Sequence, residues 1–279
     1  MNLFLSILLL LISYGVGRLS LGPGRSFLLS AGVTAANYRG ERVPTSLGGF
    51  LAVLLLFLSA VTLGLSRWVP LFSFSLFAVV MLASVTVAFL GWLDDTLGNH
   101  RDKGFAGHFR TLMEEGRLTT GLLKAVGGGV VAAVAATITA DGNGFLWLLH
   151  TLLIGLMTNW LNLLDLRPGR ALKFYLVLGG VLFFLHLGSG ESLLFLPLLG
   201  LAAAVLKGDL SARFMLGDSG SNLLGIQLGI WLAWISPPWL IILLDILLVV
   251  GHGLGEAVSF TRIIENSRFL SYLDRVGRR

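Results

Sequence analysis

The sequence predicts an all-α, polytopic integral membrane bundle, and three observations predict it. The 279-residue chain is 55% apolar and only 13% charged, where a soluble domain carries roughly 45–50% and about 25%. Its mean hydropathy is +0.86. Its apolar residues gather into about nine runs, each near the roughly 20 residues that a helix needs to cross a bilayer. That many spans leave about 100 residues for loops and termini, so no soluble domain of useful size fits. Disorder and a secreted disulfide scaffold are excluded, the latter by the absence of Cys. A DNA-binding domain is excluded despite a pI of about 10.0, and no nucleic-acid partner is expected.

Apolar runs and their breakers place spans at 2–21, 46–65, 70–93, 119–140, 144–164, 171–188, 192–206, 219–236 and 238–256. The first run has no basic leading segment and no small-residue cleavage site, and its first cation is Arg18. It therefore reads as a retained span with its N-terminus outside. Lys and Arg collect in short cytoplasmic loops. Of the 20 basic residues only Arg67 falls at an outward turn in this layout, which sets an odd number of spans with the N-terminus out and the C-terminus in. Among the 36 glycines, Gly127-Gly128-Gly129 and Gly179-Gly180 read as positions where helices approach closely. No inverted repeat of the transporter kind is visible.

Four inward segments hold the unusual polar chemistry. The first runs from Asn37 to Gly49. Its Pro44-Thr45 turn and Gly48-Gly49 pair permit close backbone approach to a ligand, while Arg39 and Arg42 could hold an anion. A plain helix start is the bland alternative. The second ends the third span at Asp94-Asp95, adjacent like charges that persist best where a cation or a proton transfer uses them. The loop beyond it carries His100, Arg101, Lys103, His108 and Arg110, suited to anionic headgroups or a phosphate. The third is Asn159, Asn162 and Asp165, whose spacing of three places them along one side of the fifth span. Such groups are costly in hydrocarbon and need partners, which hydrogen bonds between helices could also supply. The fourth is Gly217-Asp218-Ser219-Gly220-Ser221 at the start of the eighth span. Free N–H groups and the helix dipole there suit a phosphate. Asp218 beside that anion suggests a bridging magnesium, which binds one or two carboxylates with phosphate oxygens and water. Together the four segments imply metal-assisted phosphoryl transfer at the inner membrane surface.

These residues, in this order, resemble the polyprenyl-phosphate N-acetylhexosamine-1-phosphate transferase superfamily, which includes phospho-N-acetylmuramoyl-pentapeptide transferase. The matches are Pro44-Thr45 with Gly48-Gly49, Asp94-Asp95, Asn159-x-x-Asn162-x-x-Asp165 and Gly217-Asp218-Ser219-Gly220-Ser221. The resemblance implies a multi-pass protein of the bacterial plasma membrane with its active face cytoplasmic. It implies attack by undecaprenyl phosphate on the β-phosphorus of a UDP-sugar, releasing UMP in cell-wall, peptidoglycan or teichoic acid precursor synthesis. Magnesium, or manganese in its place, would neutralise the diphosphate. Carried over by position, Asp218 and Asp95 would be metal ligands, and Asp94, Asp95 and Asp218 the catalytic carboxylates. Substrate would be held by Arg39, Arg42, Thr45, Asn159, Asn162, Asp165, Gly217, Ser219 and Ser221. The chain departs from the family at Leu166-Arg167-Pro168-Gly169-Arg170, where a Gly-x-Asp-Gly stretch is usual, and at Met215 in place of an aromatic. The family's His-rich last loop is also missing. The bundle would occupy residues 1–257. Residues 258–279 read as a basic amphipathic helix on anionic headgroups, with a homodimer contact as the competing use. A non-catalytic relative that binds a lipid-linked precursor, and a transporter, are the alternative functions.

Overall fold

The computed structural model describes residues 2–68, 71–98, 104–258 and 260–278. His100, Arg101 and Lys103, and the side chains of His108, Glu256 and Phe260, lie outside the described residues. Apart from one small ribbon the described chain is all-α. The helices are α1 (Asn2–Ser30), α2 (Leu47–Ser66), α3 (Phe74–Leu97), α4 (Gly104–Glu115), α5 (Thr120–Thr139), α6 (Gly144–Leu164), α7 (Arg170–Leu185), α8 (Leu196–Leu210), α9 (Gly217–Ile235), α10 (Pro238–Ala257), α11 (Phe260–Asn266) and α12 (Arg268–Arg275). Strands β1 (Thr34–Ala36) and β2 (Arg42–Pro44) pair antiparallel, Ala35 opposite Val43.

Six helices are long and apolar enough to cross a membrane: α1, α2, α3, α5, α6 and α10. This is the build of a multi-pass membrane protein. Large apolar side chains such as Phe4, Leu11, Val53, Phe57, Val130, Ile246 and Leu247 are exposed on these helices, a surface that water would not tolerate over such an area. The other three predicted spans differ for physical reasons. Helices α7 and α8 have only 16 and 15 residues, and α9 is enclosed by protein, buried without a break from Ser219 to Ala233. A chain segment surrounded by other helices has no need of a lipid-compatible surface. It keeps Asn222 and Gln227, the latter donating to Ser84 at 3.1 Å.

Most predicted boundaries shift by four residues or fewer, but α1 runs to Ser30, nine residues past its expected end. Pro23 was expected to lie beyond this helix and lies inside it. Proline removes one intrahelical bond without ending a helix that packing holds in place. The contacts are close: Gly17 of α1 lies against Ala204 and Leu201 of α8, and Gly200 of α8 against Ser13. Helix α4 occupies a stretch expected to be loop. Beyond α10 the single expected amphipathic helix is two, divided where the Ser267 hydroxyl accepts from the Leu270 N–H and starts α12.

Helix α9 is the hub, touching α2, α3, α5, α6 and α7. Glycine makes the approach possible, because a Cβ on Gly48 of α2 would fall on the backbone of Gly220, and one on Gly91 of α3 on the backbone of Asp218 and Ser219. Gly225 meets the Thr158 backbone of α6 in the same way. Of the glycines expected to pack, Gly127 lies against Leu90 and Gly179 against Leu199, whereas a Cβ on Gly128, Gly129 or Gly180 would meet nothing among the described residues. Asp245 of α10 is 4% exposed, and among the described residues neither carboxyl oxygen has a hydrogen-bond partner. His252 has a structural placement, its Nδ1 2.7 Å from the Leu248 carbonyl and its ring beside Trp160.

Candidate functional site

The loop between α1 and α2 and the segment before α9 are stitched together by backbone bonds. The Met215 N–H donates to the Pro44 carbonyl at 2.8 Å, and the N–H groups of Leu47 and Gly48 donate to Met215 and Leu216 at 3.2 and 3.1 Å. Asn37 closes the preceding turn by accepting from the N–H groups of Arg39 and Glu41, and donates across to the Ala212 carbonyl. These loops roof a cavity of about 510 Å³ at one end of the bundle. Thr45, Asp94, Asp95, Asn162, Asp165, Gly217 and Asp218 all line it, so the structure brings together residues from all four segments singled out in the sequence.

Five aspartates line this one cavity, the four above and Asp209 of α8. Asp94 and Asp218 come within hydrogen-bonding reach of each other, and the Lys124 ammonium of α5 bridges them, 2.6 Å from Asp94 Oδ2 and in direct contact with Asp218 Oδ2. Thr120, one turn earlier on the same face of α5, donates to Asp94 Oδ1 at 2.6 Å. Lys124 and Thr120 were not singled out from sequence. The available signal was a lone cation inside an apolar span, which usually has a paired, functional acid.

Asp95 does something different from its neighbour. Its Oδ1 accepts from the Asp218 N–H at 2.8 Å, and its Oδ2 accepts from the Ser219 N–H at 3.2 Å and the Ser46 hydroxyl at 2.7 Å. A carboxylate from α3 thus performs the capping task that normally falls to the residue just before a helix. Gly217, at φ +71°, leaves the space that Asp95 fills. The expected phosphate nest at the start of α9 is therefore corrected in part: the Asp218 and Ser219 N–H groups are already taken, and by the acid expected to bind metal.

Several other expected ligands are elsewhere. Ser219 and Ser221 are fully buried and donate to the carbonyls of Leu216, just before α9, and Gly217, its first residue. Asn159 is exposed and outside the cavity lining. Each step of three falls 60° short of a full turn, so the line through Asn162 and Asp165 has rotated away by Asn159. Arg39 and Arg42 are exposed and do not line the cavity. Arg39 instead stacks on Tyr38, 5.1 Å from the ring centroid, and Arg167 lies 5.4 Å from the same ring. Tyr38 and Arg167 do line the cavity. Asn162 donates to Asn222 of α9 at 3.3 Å, a partner the sequence did not suggest.

Asp165, just past the end of α6, carries the clearest electrostatic signature. Burial pushes its carboxyl well above the usual carboxylate range, and the negative charges of Asp209, Asp218 and Asp95 push further. Ionised Asp165 therefore destabilises the folded state, increasingly as pH rises through its folded value, and a cation beside it would offset that cost. Among the described residues no three acids or histidines already form a metal cage. By chemistry the donors fit a hard divalent ion, since all are carboxylate oxygens, and Asp165 and Asp218 are the residues that would hold it.

No protein-family model matches the chain, and no curated protein matches it.

Proposed function

We propose that the chain transfers a sugar-1-phosphate, of the N-acetylhexosamine type, from a UDP-sugar to undecaprenyl phosphate and releases UMP. The supporting observation is the convergence of Asp94 of α3, Asp165 at the end of α6 and Asp218 of α9 on one cavity at an end of an apolar bundle, with Lys124 bridging the first and the last. A soluble diphosphate and a membrane-held phosphate can meet only at such an end. In this reading α7, α8 and α9 are also spans, giving nine with the N-terminus outside, and the cavity opens to the cytoplasm of a bacterial cell.

In the reaction an oxygen of the lipid phosphate attacks the β-phosphorus. The bond to the bridging oxygen breaks and the electron pair leaves with UMP. Lys124 balances the charge of the attacking phosphate, and Asp94 holds the ammonium in place. Asp218 and Asp165 would bind magnesium, which when present supplies charge neutralisation on the diphosphate. Asp95 positions Asp218 by capping α9, and Arg167 stands at the wall to meet a further phosphate oxygen. Exposed Phe269, Tyr272 and Val276 of the tail, beside Arg268 and Arg275, suit a surface of anionic headgroups.

Purified protein with magnesium, undecaprenyl phosphate and a UDP-N-acetylhexosamine is expected to release UMP. Asp218→Asn, nearly isosteric but neutral, is expected to lower that rate on the order of 10³-fold. Equal turnover by both proteins would remove Asp218 from the mechanism.

A further inference from the structure

The tail does more than present an apolar face. Asp274 of α12 pairs with Arg170, at the start of α7, through two bonds of 2.7 and 3.0 Å. It also accepts from Arg278 at 2.8 and 3.1 Å. Arg278 in turn donates twice to the carbonyl of Pro168, at 2.9 and 3.2 Å. Lys173 closes the contact from α7, donating to the carbonyls of Leu273 and Asp274. The side chains of Arg170, Asp274 and Arg278 are only 5%, 10% and 15% exposed, so these bonds are shielded from water and strong for a chain terminus. Burial would raise the Asp274 carboxyl, but the bonds from Arg170 and Arg278 outweigh it and hold the group below its ordinary value.

What this lock grips is the turn from Asp165 to Arg170, which carries Arg167 and Pro168 into the cavity wall. The turn has no regular structure of its own to hold it. From the bundle side it is fixed by Asp209, 3% exposed, which accepts from the Gly169 N–H at 2.6 Å. From the other side its Pro168 carbonyl is held by Arg278. Gly169, at φ +81°, allows the turn to pass between the two.

We propose that Asp274 is a positioning residue: through Arg170 and Arg278 it fastens α12 onto the Asp165–Arg170 turn and so fixes Arg167 at the cavity wall for a phosphate-bearing ligand. The C-terminal helix is then a working part of the cavity. The identity of that ligand rests on the proposed function, whereas the fastening does not.

The test uses the full-length protein in detergent, comparing wild type with Asp274→Asn and Asp274→Glu. Two readouts are taken, backbone amide exchange over 165–170 and UDP affinity. Asp274→Asn is expected to speed exchange in that turn and to weaken UDP binding about tenfold, with exchange in α9 unchanged. Asp274→Glu, which keeps the charge, is expected to restore most of both. Unchanged exchange in the turn would overturn the proposal, as would faster exchange with unaltered UDP affinity. Exchange that rises equally in α9 would also overturn it, by showing general unfolding. If wild type fails to bind UDP, the nucleotide reading fails, and the exchange comparison still decides the fastening.

Discussion

Lys124→Met is expected to lower UMP release on the order of 10³-fold, the size seen when a preorganised charge-stabilising group is removed. The side chain keeps its length and loses its charge. In wild type the ammonium lies between the carboxylates of Asp94 and Asp218, so methionine leaves two neighbouring anions facing each other. Like charges this close repel, and one takes up a proton. Two consequences are separable. The attacking phosphate loses its counter-charge, and the protein loses thermal stability. Adding Asp94→Asn should return part of the lost thermal midpoint, because one of the facing anions is gone, but none of the activity. The checks are thermal denaturation in detergent and the UMP-release assay on the same preparations. Full activity in Lys124→Met would show that the bridge is only structural.

The largest expected effect on folding is that of Gly48→Val. A Cβ at position 48 would fall on the backbone of Gly220, where no side chain can rotate aside to make room. The crossing of α2 and α9 must open, and with it go the bonds from Leu47 and Gly48 to Met215 and Leu216. The cost is about 3 kcal/mol or more, enough to remove most folded protein from a size-exclusion profile. Gly49→Ala is the matched control. Among the described residues a Cβ there would meet only the Trp92 ring, at 3.6 Å, and alanine favours helix over glycine by about 1 kcal/mol. A folded Gly48→Val protein with a wild-type thermal midpoint would contradict the crossing.

Some of this architecture could be read from the residues alone, and the limits have physical causes. The apolar helices α2, α3, α5, α6 and α10 were legible because lipid demands long unbroken apolar runs. The end of α1 was not legible, because by local rules Pro23 disfavours a helix interior and only the packing of α1 on α8 overrides that. Asp94, Asp165 and Asp218 were legible because a carboxylate at the end of an apolar run is expensive and needs a use. Their arrangement was not. Nothing local says that Asp95 points at α9 while its neighbour points at α5, since that depends on where two distant helices pass. Ser219 and Ser221 were expected as ligands by position in the motif and by the free N–H groups of a helix start, yet their hydroxyls donate to the carbonyls of Leu216 and Gly217 in the closely packed start of α9. Asp209 and Arg170 gave no signal, because each acts through a partner at least 40 residues away, and the bond that ties Asp274 to Arg170 spans 104 residues.

In the proposed reaction the bond broken lies between the two phosphorus atoms of the donor, at a cavity lined by Asp94 and Asp218, whose carboxylates Lys124 bridges. The most direct measurement follows a UDP-N-acetylhexosamine labelled at its β-phosphorus, incubated with the protein, magnesium and undecaprenyl phosphate. The label is expected to move into the lipid fraction, with unlabelled UMP left in solution and neither product formed without the lipid phosphate. Label that stays in the aqueous phase with every UDP-sugar tested, as intact donor or as UDP, would contradict it.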